Sequence, residues 1–141
     1  MAASQGFVVQ EILSSYFFDE HRCVMDIGAG KGRFASDLAQ HAPHLTLKLF
    51  DLPPVLELAK TNVQARGFSD RMSFHPGSFL HDELPTGADL ITLVRVAHDH
   101  PDEVVIQLLK KIHNALPLGG VFLLAEPMAQ TLSDAAQGPT Q

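Results

Sequence analysis

The stretch Val24-Met25-Asp26-Ile27-Gly28-Ala29-Gly30-Lys31-Gly32 decides the fold. Its first residues read as a buried strand, and its glycines as a tight turn leading into a helix. Three glycines at alternate positions leave no β-carbons over the turn. A ligand can then approach the main chain, and the first N–H groups of the following helix can face it. The next apolar run, residues 45–50, ends at Asp51. A separation of about 20 residues between a glycine-rich turn and a carboxylate is that of a site gripping a ribose diol. The pattern predicts a nucleoside-containing cofactor.

Which cofactor depends on detail. The dinucleotide fingerprint G-x-G-x-x-G/A, counted from Gly28, reaches Arg33 where close helix–strand packing asks for Gly or Ala. The third glycine comes one residue early, at Gly32. Asp26, just before the turn, would repel a pyrophosphate but suits an ammonium or sulfonium. These features favour S-adenosylmethionine over NAD.

Outward from this motif, strands and helices alternate. An amphipathic helix is expected over residues 4–17, with Phe7, Val8, Ile12 and Leu13 on one face. The first strand is predicted at 23–27, a helix at 31–41 and a second strand at 45–50. Pro53 and Pro54 open a helix that Gly67 ends. A third strand is predicted at 71–75, a loop with room for one helical turn at 77–87, and a fourth strand from Leu90 to Val94 or Val96. Pro101 opens a helix through 115, and residues 121–126 form a fifth strand. This alternation implies an α/β, Rossmann-like domain, a mostly parallel sheet with helices on both faces. Ligands of such sheets lie beyond the carboxyl ends of the strands. Residues 28–32, Asp51, residues 77–79 and His98-Asp99 all fall at that edge.

Composition narrows the class. The 141 residues carry a net charge of −6 with no basic run, which argues against a nucleic-acid partner. A single cysteine, Cys23, excludes a disulfide within the chain and fits a reducing compartment. No stretch reads as a signal peptide or a transmembrane segment, so a cytoplasmic location is expected. A metal pair of His98 and His100 lacks a third ligand at suitable spacing, and no metal is expected. Asp99 reads first as a cap for the following helix. Lys110-Lys111 reads as a solvated helix face, and His21 and His75 as surface or packing residues.

The segments MDIGAGKG, LFDLPPVLELA, HPGSF, ADLITLVRVAHDH and LLKKIHNALPLGGVFLLAEPM occur in order. Together they resemble the cofactor domain of the small-molecule O-methyltransferases of the caffeate and acetylserotonin type. LVRVAHDHPDE is most similar to the bacterial carotenoid branch, the hydroxyneurosporene and demethylspheroidene enzymes. The resemblance implies a class I methyltransferase fold and S-adenosylmethionine as cofactor. It places Gly28 at the methionine part; Gly30 and Asp26 are cofactor-binding candidates from the turn itself, Asp26 as a structural or cofactor-side carboxylate. Asp51 falls at the ribose and Leu52 beside the nucleoside. Ser78 and Phe79 fall at the adenine, and Arg95 on the cofactor side of the fourth strand. It implies His98 as catalytic base and Glu126 as the carboxylate that orients it; Glu126 read alone is equally a solvated strand end. Ser78 departs from the aspartate common there and is a weaker acceptor.

Family members carry an N-terminal helical dimerisation domain, form homodimers, and continue past the fifth strand. The resemblance therefore implies a partial cofactor-binding domain over residues 1–130, with a frayed tail at 131–141, the dimerisation domain absent and the C-terminal strands missing. The expected acceptor is a small, apolar, hydroxylated molecule, with a carotenoid hydroxyl the best candidate. A cofactor-binding module without catalysis, a nicotinamide-dependent oxidoreductase, and methyl transfer to nitrogen or carbon with less need for His98 are the alternatives.

Overall fold

The computed structural model describes residues 2–94 and 101–125, with side chains from Val9 onward. The elements run α1 (Ala2–Ser15), β1 (Cys23–Ile27), α2 (Arg33–His41), β2 (Thr46–Asp51), α3 (Pro53–Ala65), a 3-10 turn (Ser69–Arg71), β3 (Met72–Pro76), β4 (Leu90–Val94), α4 (Asp102–Ala115) and β5 (Val121–Ala125). The five strands form one parallel sheet in the order β3-β2-β1-β4-β5. The order reverses direction between β1 and β4. In doubly wound sheets that switch point opens a crevice at the carboxyl ends of the strands.

The apolar runs sort by the two-residue period of a strand. Val24 and Leu90 point into a core shared with Ile12 and Leu13 of α1, Leu38 of α2 and Val63 of α3. Met25, Ile27, Ile91 and Leu93 point to the other face, against Leu108 and Ile112 of α4. Helices thus cover both faces, as a sheet with buried, near-continuous apolar strands requires.

Element boundaries follow local chemistry. α2 starts at Arg33, two residues later than expected, because Gly32 is left-handed at φ 81° and cannot belong to the helix. α3 opens on Pro53 and Pro54, whose missing N–H groups cost a first turn nothing. Arg71 holds the far end of α2: its guanidinium donates to the carbonyls of Ala39 (3.0 Å), Ala42 (2.9 Å) and Leu45 (3.0 Å). These include carbonyls that the end of a helix leaves unpaired.

The amino-terminal edge of the sheet has its own tie. Asp89, just before β4, accepts from the Arg22 N–H (2.9 Å) and from His21 Nδ1 (3.1 Å). With Nδ1 donating, His21 Nε2 accepts from the Tyr16 hydroxyl at 2.6 Å. His21 therefore joins α1 to β4 across the start of β1. A cavity of about 680 Å³ lies here, lined by Tyr16, Phe17, His21 and Asp89 among others. It sits at the edge of the sheet opposite the glycine turn.

Candidate functional site

At the carboxyl edge, the loops after β1, β2 and β3 are bonded to one another. The Gly28 and Ala29 N–H groups donate to the Phe50 carbonyl at 2.9 and 3.3 Å. The Gly30 N–H donates to Asp51 Oδ2 at 2.8 Å, and the Leu52 N–H to Asp51 Oδ1 at 2.7 Å. The Gly77 N–H donates to the Asp51 carbonyl at 3.0 Å. Asp51 is thus the hub of this edge: its carboxylate fixes the glycine turn, and its carbonyl fixes the loop after β3. Leu52, 49% exposed, stands beside it at the start of α3.

The glycines have separate duties. A β-carbon on Gly30 would meet nothing within 4 Å, so the turn is open there. On Gly32 it would lie 3.2 Å from Val63 Cγ2 and 3.4 Å from Leu49 Cδ2. Gly32 therefore provides the close helix–strand packing that the fingerprint count assigned to position 33. Arg33 in that place loses its force as an argument against a dinucleotide. The amides supply a better one. Those of Gly28, Ala29 and Gly30 are bonded as above, and that of Gly32 donates to the Ala29 carbonyl at 3.0 Å. They are already spent within the protein, whereas a pyrophosphate cradle needs such groups free.

Asp26 is buried at 3% exposure and accepts from the Thr92 hydroxyl at 2.8 Å across the β1–β4 pair. Its pKa is raised to about 7, chiefly by burial and further by the nearby Asp51, with the Thr92 bond acting in the opposite direction. At neutral pH Asp26 is therefore poised between charged and neutral, a weaker repeller of anions than its sequence position suggested.

The loop after β3 is a compact turn. Ser78 accepts at its carbonyl from the His81 and Asp82 N–H groups (3.1 and 2.8 Å) and at Oγ from the Leu80 N–H (3.1 Å). Asp82 Oδ2 accepts from the Ser78 N–H at 2.8 Å. Phe79 packs against the core beneath α4. Lys111 of α4 donates to the carbonyls of Phe79 (2.8 Å) and Asp82 (2.9 Å), so it is not the solvated residue its sequence suggested. The described structure thus brings together Asp26, Gly28, Gly30, Asp51 and Leu52, with Ser78 and Phe79 on the adjoining loop. Arg95, His98, Asp99, His100 and Glu126 lie outside the described residues. Among the described residues no group of three or more His, Cys, Asp or Glu side chains could hold a metal.

Sequence reading missed Thr92, Asp82 and Lys111. Thr92 had a signal, a polar residue inside the apolar run Leu90–Val94. Asp82 and Lys111 had none.

A parallel sheet in this order, with a glycine turn after β1 tied to an acidic residue ending β2, defines a Rossmann-like nucleoside-binding domain. The chain belongs to the O-methyltransferase domain family, whose model matches residues 1–140. It is 47% identical over 129 residues to a demethylspheroidene O-methyltransferase of Rhodobacter capsulatus, covering 92% of this chain and 31% of that protein. It is 35% identical over 136 residues to the N,N-dimethyltransferase OxyT of Streptomyces rimosus, covering 94% of this chain and 39% of that protein. Among solved structures, the S-adenosylmethionine-dependent methyltransferase SibL superposes with a TM-score of 0.85 at 27% identity, over 88% of this chain and 36% of that one. The chain spans about a third of the length of the curated relatives it matches.

Proposed function

We propose that this chain forms the S-adenosylmethionine-binding part of an enzyme that methylates a hydroxyl of a small apolar molecule. The observation that carries the reading is the Asp51 hub, which bonds the glycine turn and the loop after β3 into one edge. Residues 1–130 act as the cofactor unit, in a cytoplasmic setting. The residues fit the group. Asp51 keeps carboxylate lone pairs for ribose hydroxyls beyond its two amide bonds. Gly30 leaves open space for a ligand, and the spent turn amides suit a cofactor without phosphate. Gly28 and Gly30 lie at the methionine part with Asp26 behind them. Leu52 packs at the nucleoside, and Ser78 and Phe79 stand at the adenine. The family resemblance adds Arg95 to this cofactor set.

S-adenosylmethionine, when bound, supplies a methyl group already activated by a sulfonium. The protein's task is then to orient the acceptor hydroxyl and remove its proton. We assign proton removal to His98, since an imidazole with a pKa of about 6.5 is largely neutral at pH 7. Such a base contributes roughly 100- to 10,000-fold. Glu126 on the far ring nitrogen would fix the tautomer and stabilise the imidazolium. A carotenoid tertiary hydroxyl, the acceptor class suggested by the demethylspheroidene relative, is far less acidic than an imidazolium. Its deprotonation must then be concerted with bond formation.

His98→Ala tests the reading in a protein that turns over. Methylation of a hydroxylated carotenoid should be lost while affinity for S-adenosylhomocysteine stays within a few-fold. Loss of that affinity instead would make His98 structural. Cofactor binding without turnover in the wild type would leave a binding module. The OxyT relative supports a second reading, a nitrogen acceptor. A neutral amine needs no base to become nucleophilic, so His98→Ala would then keep most of its turnover.

A further inference from the structure

Lys111 is the feature of the carboxyl edge that the roles above do not use. It sits on α4, the helix covering the face of the sheet opposite α1–α3. Its ammonium reaches past that face to the turn after β3. There it donates to two carbonyls of one turn, Phe79 at 2.8 Å and Asp82 at 2.9 Å. The root of the same loop is fixed from β2, by the Gly77 N–H on the Asp51 carbonyl. Gly77 also allows no slack, since a β-carbon there would come within 2.9 Å of the Phe50 ring. Inside the turn, Asp82 and Ser78 bond each other's main chain. The loop is thus held from outside by Asp51 at its root and by Lys111 at its tip, with Phe79 packed against the core between them.

We infer that Lys111 is a positioning residue for the cofactor: its two bonds to the Phe79 and Asp82 carbonyls set the turn that presents Ser78 and Phe79 to the adenine. The inference rests on the proposed adenosyl site and goes beyond it, because Lys111 itself touches no ligand. The physical case is charge-assisted bonding. Hydrogen bonds from an ammonium are stronger than those from neutral donors, and one ammonium holding two carbonyls fixes them relative to each other. Without it the carbonyls turn to water, and the turn must be ordered at the moment of binding, which lowers affinity. Lys110, next to it and exposed, makes neither bond and is the matched control.

The test uses the full chain with Lys111→Met, Lys111→Arg and Lys110→Met. Affinities for S-adenosylhomocysteine and for adenosine alone are measured by calorimetry. Thermal midpoints without ligand and amide exchange at Leu80 and Asp82 are measured beside them. Lys111→Met should weaken both ligands by the same factor, about tenfold, and speed exchange at those two amides. Its midpoint should stay within about 3 °C of wild type. Lys111→Arg should recover most of the affinity, and Lys110→Met should change nothing. Unchanged affinity in folded Lys111→Met would overturn the inference, as would an equal loss in Lys110→Met. If the wild type binds neither ligand, the adenosyl site itself is wrong, whatever the exchange data show. If the wild type binds and Lys111→Met binds equally well, only the positioning role falls.

Discussion

Asp26 shows how far a single residue's behaviour departs from its sequence context. The carboxyl is buried and bonded to Thr92, and its pKa is raised from 3.8 to about 7, chiefly by burial. A folded-state value above the unfolded one means that the native protein holds a proton the unfolded chain has released. Stability is therefore undiminished by this group below about pH 4 and falls as pH rises toward 7, then levels off. Asp26→Asn removes the titration and keeps an oxygen to accept from Thr92. We expect denaturant midpoints of the variant to exceed those of wild type at pH 7.5 and to converge with them near pH 4. A gap that widens toward acid would show that Asp26 is ionised and stabilised in the folded state. The partner, Thr92, lies 66 residues away along the chain and meets Asp26 only through the β1–β4 register. No local pattern encodes that pairing, although a threonine in an apolar strand marks the place to look. Lys111, 32 residues from Phe79, was hidden for the same reason.

At the scale of the element, the turn from β1 to α2 holds one open glycine and one closely packed one. Gly30 and Gly32 both hold positive φ, 59° and 81°. An alanine at either costs about 1–2 kcal/mol in backbone strain alone. Only Gly32 also abuts Val63, Leu49 and Ala59. Crowding that contact adds about 1–3 kcal/mol. Gly32→Ala should therefore lower the unfolding free energy by clearly more than Gly30→Ala. Gly30→Ala should lose more affinity for an adenosyl ligand, because its methyl enters the open side of the turn. Equal stability losses would show that the two glycines are not specialised. The strands and helices themselves were legible, because apolar periodicity and the Pro and Gly breakers mark each of them. β1 and β4 match the spans Cys23–Ile27 and Leu90–Val94, β5 starts at Val121 as expected, and β2, β3 and α2 to α4 differ from theirs by a residue or two. The shift at α2 has a cause that counting could not supply: Gly32 belongs to the turn and to the α3 contact, not to the helix.

For the whole molecule, the parallel order β3-β2-β1-β4-β5 places every candidate cofactor residue among the described ones at the carboxyl edge. The Tyr16–His21–Asp89 tie and its cavity lie at the other edge. The alternation of strands and helices pointed to the carboxyl edge as the place for a ligand, since ligand crevices of such sheets follow the strand ends. The bonding within that edge was not, because Asp51 reaches Gly30 across 21 residues and Gly77 reaches Asp51 from the next strand. We propose that this edge holds an adenosyl cofactor through Asp51. Calorimetric titration with S-adenosylhomocysteine and with NADH, on wild type and on Asp51→Ala, tests it most directly. Wild type should bind S-adenosylhomocysteine and not NADH. Asp51→Ala should lose about 1.5–3 kcal/mol of that affinity, as for hydrogen bonds to a charged group. Tight NADH binding by wild type, or unchanged S-adenosylhomocysteine affinity in folded Asp51→Ala, would contradict it.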